Sequence, residues 1–415
     1  MAKSSFKNIT GKLHLWLGLA SGVVVFIVSI TGCIFVFEEE IRNVTQKEFR
    51  FVRPVPAQKI SVGEVVQILK KQYPKKYVEQ IRMFSGSDKA VIAKLVDRSS
   101  ITVSKPEKGK KKPGEDEEEN EEAKTVVSLN PYTGEVLGPW NMDSDFLHTV
   151  EQIHKTLLLG DAGKWIIKFN IVIFLFMLLS GMVLWFPLKK NQVKNAFRMK
   201  FDAKWQRINY DFHNVFGFYF LVPLMLVTLT GIWWAVKPSQ KLVYAMFGNG
   251  KKEEKKVVSN IQSQSMFSPV EAFESVAFKY PGWNEAHVNF AKKETDVVKI
   301  NLRYPYQIVR KQNVFEFDRY SGKLLKTEFF KDYSGADMVK HANRSMHTGQ
   351  AFGLFGKLLM FLASLFAATL PITGFLIWYQ KKNKKPVSRN TGKIRPAKND
   401  SKVKPVMRPR ILEKT

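Results

Sequence analysis

The sequence predicts a helical membrane protein, a four-helix transmembrane bundle carrying two extracytoplasmic α+β domains and built by tandem duplication. Three observations carry that prediction. Four runs hold no charged residue, Leu13 to Phe37, Phe169 to Leu188, Asn214 to Val236 and Leu358 to Gln380; each reaches the roughly 20 residues that a helix needs to cross a hydrocarbon layer about 30 Å thick. Basic residues crowd alternate flanks of these runs. The residue pattern of the first half of the chain also returns in the second.

That repeat has two parts. His14 is followed by Gly18, Thr31 and Gly32, and His213 by Gly217, Thr230 and Gly231 at the same spacings. His148, His154, Gly160, Gly163, Gly181 and Trp185 recur as His341, His347, Gly353, Gly356, Gly374 and Trp378, each displaced by 193 positions without a gap. Agreement at one offset marks duplicated units rather than coincidence.

Charge orients the units. The chain of 415 residues carries 65 Lys and Arg against 37 Asp and Glu, a formal charge of +28, which in a soluble protein would suggest a nucleic-acid partner. Here the cations are Lys3, Lys7 and Lys12 before the first run, Lys189 to Arg207 between the second and third, and thirteen Lys and Arg from Lys381 to Lys414 after the fourth. Basic flanks stay in the cytoplasm, so both termini and the middle loop are assigned there. The expected partner of the tail is the lipid bilayer, with no nucleic acid. The organisation expected is a cytoplasmic N-terminus (1–12), a first span (13–37), an exported domain (38–147), an interfacial segment with the second span (148–188), and a cytoplasmic loop (189–212). A third span (213–236), a second exported domain (237–340), an interfacial segment with the fourth span (341–380) and a basic cytoplasmic tail (381–415) follow.

The single cysteine, Cys33, excludes an intramolecular disulfide framework and a cysteine-rich metal cluster. Residues 30 to 33 resemble a lipoprotein cleavage box, but Thr31 and Gly32 belong to the repeat, which favours a retained first span. In the first exported segment, Ser61 to Tyr73 has helical spacing of apolar residues, with Ser61 and Glu64 placed as a capping box and Pro74 as the stop. Tyr77 to Phe84, Ala90 to Val96 and Val126 to Val136 read as strands, the last interrupted by an Asn-Pro-Tyr-Thr-Gly turn. Residues 105 to 124 are too charged to bury a core and read as a solvated loop, its acidic part at 115 to 122 at most a weak attractor of iron. The second exported segment repeats the order: a helix from Ser268 to Tyr280, then strands at His287 to Phe290, Val297 to Leu302 and Val314 to Phe317, with an Asp-Arg-Tyr-Ser-Gly turn at 318 to 322. His287 has no counterpart in the first segment and reads as structural.

The chemistry rests on the histidines. At 3.6 residues per turn His14, Gly18 and Gly32 form one stripe, as do His213, Gly217 and Gly231, and an ionisable residue inside a span is a functional candidate by default. His14 and His213 lie at matching depth, each with a glycine one turn away. Two such imidazoles can supply the axial ligands of a haem iron, and the glycines leave room for the flat macrocycle. His154 and His347 make a second candidate pair at the opposite face. His148 and His341, six residues earlier, are rotated by about 240° on a continuous helix and cannot join the same metal; they are weaker candidates, as supporting or surface groups. The glycines at 160, 163, 353 and 356 are placed to bend the chain where it meets the membrane. Zinc would want four compact ligands, and a proton relay, to which histidine is suited, leaves the matching glycines without a purpose.

The order of span, α+β domain and span, twice over, with His-x3-Gly-x12-Thr-Gly in spans one and three and His154 and His347 ahead of Gly-x2-Gly turns, resembles the PepSY-associated transmembrane family over about residues 9 to 380. That family includes bacterial inner-membrane ferrisiderophore reductases and iron-regulated membrane proteins. The resemblance implies a multi-pass inner-membrane protein with PepSY-like exported domains and two b-type haems. His14 and His213 would hold one haem near the cytoplasmic face, and His154 and His347 the other near the periplasmic face. Electrons would pass outward to a ferric siderophore or other ferric chelate. After Gln380 there is no Gly-rich nucleotide fingerprint, so the expected electron donor is a separate cytoplasmic protein or a quinol. Two other readings stay open: a non-catalytic scaffold restraining an exported peptidase or sensor, and a transporter that uses the histidines for proton coupling.

Overall fold

A computed structural model describes residues 2–98, 125–141, 144–187, 189–248, 257–259, 267–305 and 307–383. The charged loop at 105–124 and the basic tail beyond residue 383 lie outside the described residues. Among the described residues three helices are long and apolar enough to cross a membrane, Phe6–Val36, Gly160–Trp185 and Gln350–Lys382, and the pair Trp205–Tyr219 and Leu221–Ala235 makes a fourth if taken as one broken span. These are called the first, second, fourth and third spans. The first packs along the fourth and the second, and the third packs on the second and the fourth. Their outward faces expose Trp16, Val23, Phe176, Val222 and Phe375, the apolar surface that lipid requires.

The third span is not the continuous helix its composition suggests. It bends by 63° between Tyr219 and Leu221, and Phe212–Phe216 forms a π-helical turn. Pro223 accounts for the bend, because its ring lacks an N–H and clashes with the carbonyl four residues earlier, that of Tyr219. The π turn is one residue wider than an α turn, and His213 sits within it.

The two segments between spans also differ from expectation. Rather than two separate domains, they share one antiparallel sheet of eight strands, ordered β4-β3-β2-β1-β5-β6-β7-β8. The strands are β1 Lys76–Phe84, β2 Val91–Asp97, β3 Thr125–Leu129, β4 Val136–Asn141, β5 Glu285–Asn289, β6 Val298–Arg303, β7 Gln312–Phe317 and β8 Leu324–Glu328. The two four-stranded halves join where β1 pairs with β5, from Gln80 opposite Asn289 to Phe84 opposite Glu285. Helices Val62–Gln72 and Pro269–Lys279 cover one face, and Leu69, Ile81, Phe273, Val288 and Ile300 belong to a single core. A free inner edge on each half would invite aggregation; pairing the two edges removes both. The capping box at Ser61 and Glu64 is present. Both predicted turns close hairpins, Gly134 and Gly322 taking the left-handed conformation at φ +72° and +67°.

On the opposite face of the seam, Arg82 bonds Glu285 at 2.5 Å, and the buried His287 donates from Nε2 to the same carboxylate at 2.7 Å. Arg303 approaches its other oxygen at 3.4 Å. Each half then descends through a short helix, Phe146–Thr156 or Gly335–Thr348, capped by Asp145 and Ser334 respectively. These approach helices lead into the second and fourth spans through the glycine turns. Gly160 and Gly353 have φ of +54° and +61°, and a Cβ on Gly163 or Gly356 would overlap the carbonyl of Thr156 or Gly349. Acidic residues after the first span tie the halves together: Glu38 bonds Arg344 at 2.8 Å and Glu40 bonds Lys357 at 2.6 Å.

The seam makes sheet stability depend on pH. Burial pushes the His287 imidazolium down from 6.5 to about 4, against the opposing pull of Glu285. Between those values the folded protein binds fewer protons there than the unfolded chain, so stability falls as pH drops through that window. Burial of Glu285 opposes its ionisation, but the His287 hydrogen bond and the charges of Arg82 and Arg303 bring its carboxyl well below the ordinary range, extending the loss further into acid. Thermal unfolding in detergent should show Tm declining from pH 7 towards pH 4, and His287→Gln should flatten the decline above about pH 4.

Candidate functional site

The spans bring together the two predicted histidine pairs. His14 on the first span and His213 on the third have ring centroids 6.5 Å apart with planes at 86°. At the end nearer the sheet, His154 and His347, near the ends of the two approach helices, are 6.4 Å apart at 80°. Residues from opposite halves of the chain thus produce two nearly identical geometries.

Each ring is fixed by a hydroxyl on another helix. His14 Nδ1 lies 2.8 Å from Ser180 Oγ and His213 Nδ1 2.7 Å from Thr373 Oγ1. His154 Nδ1 lies 3.0 Å from Thr31 Oγ1 and His347 Nδ1 2.8 Å from Thr230 Oγ1. These four hydroxyls have already committed their own hydrogens to backbone carbonyls one turn earlier: Ser180 to Met177 at 3.1 Å, Thr373 to Thr369 at 2.9 Å, Thr31 to Ile27 at 2.9 Å and Thr230 to Leu226 at 2.7 Å. The hydroxyl oxygen can therefore only accept from the ring. That places the imidazole hydrogen on Nδ1 and leaves the Nε2 lone pair for a ligand, the arrangement by which outer hydrogen bonds orient metal-binding histidines.

The residue after each hydroxyl is glycine. A Cβ on Gly181 would stand 3.4 Å from His14 Cε1, on Gly374 3.4 Å from His213 Cε1, on Gly32 3.4 Å from His154 Cε1 and on Gly231 3.7 Å from His347 Cε1. A Ser/Thr-Gly dipeptide is thus a seat for an imidazole, the hydroxyl holding one edge and the glycine backbone lying against the ring. This corrects the stripe reading: Gly32 and Gly231 do not serve His14 and His213 but the other pair. Gly18 and Gly217 remain with the first pair, lining a 420 Å³ cavity between His14 and His213. That volume lies within the roughly 300–1,000 Å³ usual for small-molecule and cofactor sites.

His148 and His341 are not drawn to either pair. His341 bonds Glu328 at 3.2 Å and stacks on Tyr333 at 4.5 Å and 6°, and its bond holds the Glu328 carboxyl below the ordinary carboxylate range. His148 reaches Gln152 at 3.5 Å. Among the described residues no group of three or more His, Cys, Asp or Glu side chains converges as a metal site, and the histidines of the spans stand as two pairs. A pair of imidazoles falls short of the four ligands that a tetrahedral zinc site takes. Sequence reasoning missed Ser180 and Thr373 and the roles of Thr31 and Thr230, although Ser180-Gly181 and Thr373-Gly374 stand 193 positions apart and Thr31-Gly32 and Thr230-Gly231 share the spacing from His14 and His213.

Apolar helices long enough to cross a bilayer, joined to an antiparallel sheet, define a multi-pass membrane protein with a soluble module at one end. The family model described as the PepSY-associated TM region matches residues 12–381, and the chain belongs to that family. No curated protein matches the chain.

The seats make a prediction independent of any ligand. Thr373→Val should leave the His213 Nδ1–H unsatisfied and cost about 1–3 kcal/mol of stability, whereas Thr373→Ser should be close to neutral, both read by thermal unfolding in detergent.

Proposed function

We propose that the protein is a di-haem b electron-transfer protein of the bacterial inner membrane that reduces ferric iron, presented as a ferric siderophore or another ferric chelate, on the periplasmic side. The observation that carries this reading is the geometry of the two imidazole pairs. An iron shared by two imidazoles would sit between facing rings; the ring centroids of the two pairs stand 6.5 and 6.4 Å apart, with each Nδ1 held by a hydroxyl. His14 and His213 would hold one haem, with Gly217 facing open space and Gly18 packed only by the flexible end of Met177, and His154 and His347 would hold the other. Family membership is compatible with this reading, and so is a four-span bundle derived by duplication with both termini and the basic 189–207 loop in the cytoplasm.

Haem at these positions supplies one-electron transfer, and iron reduced from Fe(III) to Fe(II) is held less tightly by hard oxygen donors and can be released. The chain's own part is to hold the imidazoles in one tautomer through Ser180, Thr373, Thr31 and Thr230, and to exclude water with Phe174, Leu178 and Leu221 around the first pair. The sheet borders the second pair through the approach helices, where a chelate would be seated. The electron donor on this reading is a cytoplasmic protein or a quinol.

The test is a visible spectrum of the purified protein before and after dithionite. Two b-type haem equivalents are expected, with one lost and one retained in His14→Ala or His213→Ala, and the reciprocal loss in His154→Ala or His347→Ala. A colourless protein, or full haem retention in all four variants, would overturn the reading and return the scaffold or transporter alternatives.

A further inference from the structure

We propose that Lys381 and Tyr210 form a carboxylate-binding subsite at the mouth of the His14–His213 cavity. The subsite rests on the haem reading of that pair. It would hold the acidic edge of the porphyrin and so fix the direction in which the cofactor faces.

The cavity is polar only in specific places. Around and above the histidines its walls are mostly apolar, with Leu15, Val25, Phe174, Leu178 and Leu370; of the uncharged polar groups there, Ser21 donates to the Leu17 carbonyl at 2.8 Å, and Asn214 carries no charge to offset a carboxylate. Carboxylates cannot be left unpaired in such surroundings. At the end away from the sheet the lining changes to Tyr210, one turn before His213, and Lys381, one turn beyond Trp378. Lys381 is the only charged side chain among the described lining residues. Neither its ammonium nor the Tyr210 hydroxyl makes a hydrogen bond or ion pair with another described residue. Three nearby cations are engaged elsewhere: Lys7 bonds the carbonyls of Leu184 and Phe186 at 3.3 and 2.8 Å, Arg207 bonds Asp211 at 2.9 Å, and Lys382 lies 5.3 Å from the Trp378 ring centre. A lysine at a span end can extend its ammonium to the membrane surface while its stem stays on apolar wall, and ammonium and phenol are both suited to charge-assisted bonds with carboxylate.

The repeat strengthens the assignment, because these two residues break it. The position 193 before Lys381 is Leu188, and the position that stands to His14 as Tyr210 stands to His213 is Gly11. The histidines, hydroxyls and glycines of the cavity are matched across the two halves. The cation and the phenol are present on the third and fourth spans alone. A duplicated frame by itself would offer the porphyrin equivalent faces, and Lys381 with Tyr210 makes one of them different.

The experiment uses the full-length chain carrying His347→Ala, so that only the His14–His213 pair loads. Haem-depleted protein in detergent is titrated with ferric protoporphyrin IX and, separately, with its dimethyl ester, binding being followed at the Soret band. The free acid should bind about tenfold more tightly than the ester. Lys381→Met should reduce that preference to less than about threefold, Lys381→Arg should retain it, and Tyr210→Phe should weaken it in part. Lys382→Met, which removes the same charge one residue away, should leave it intact. Equal preference in Lys381→Met and Lys382→Met, or no preference in the parent, would overturn the subsite while the haem reading stands. Failure of both porphyrins to bind the parent would overturn the haem reading and the subsite with it.

Discussion

The hydrogen bond from an imidazole Nδ1 to a hydroxyl on a neighbouring span is the interaction on which the rest of the architecture depends. A histidine inside an apolar bundle has two nitrogens to satisfy, and its neutral form has one hydrogen to give. By spending that hydrogen on Ser180, Thr373, Thr31 or Thr230, each ring acquires a fixed orientation and a defined acceptor nitrogen. The hydroxyl in turn needs a carbonyl for its own hydrogen, which a helix supplies one turn back. Glycine stands beside it, where an added Cβ would meet the ring at van der Waals contact, 3.4 to 3.7 Å. The orientation of each ring and the nitrogen it leaves free follow from a single proton's position.

The sheet does for the ends of the helices what these bonds do for their middles. Because β1 and β5 share one ladder and the two covering helices share one core, the two halves of the sheet module cannot rotate freely against one another. The approach helices hang from this sheet, and the ion pairs from Glu38 and Glu40 to Arg344 and Lys357 couple the first span to the opposite half. His154 and His347 face each other only if the helices that carry them stay in register, and the joined sheet supplies that registration.

Much of this is legible in the sequence, for identifiable reasons. The apolar runs follow from the bilayer's intolerance of charge, and the histidine pairs from an offset that repeats six residue types. Capping at Ser61 and the turns closed by Gly134 and Gly322 are local chemistry, readable within a few residues. The seam between β1 and β5 is not legible, since strands from opposite halves of the chain leave no local mark of which edges meet. Ser180 escapes notice because its counterpart is Thr373, so an identity-based repeat passes over it, and because its partner lies on another helix. Gly32 goes to the wrong ring for the opposite reason: helical spacing names the side of the helix correctly but not the depth of the neighbour it meets. Pro223 is visible in the sequence, yet membrane helices often carry proline without breaking, and only the packing around Phe220 reveals the bend.

The hydroxyl seats partition along the chain in a telling way. Ser180 and Thr31 hold His14 and His154, all four in the first half of the chain, while Thr373 and Thr230 hold His213 and His347 in the second. Neither portion orients a ring belonging to the other, yet every pair draws one ring from each. A polypeptide of half this length, carrying one copy of the repeated pattern, could therefore assemble both sites by associating with an identical molecule about a two-fold axis. Fusion of two such copies frees them to diverge.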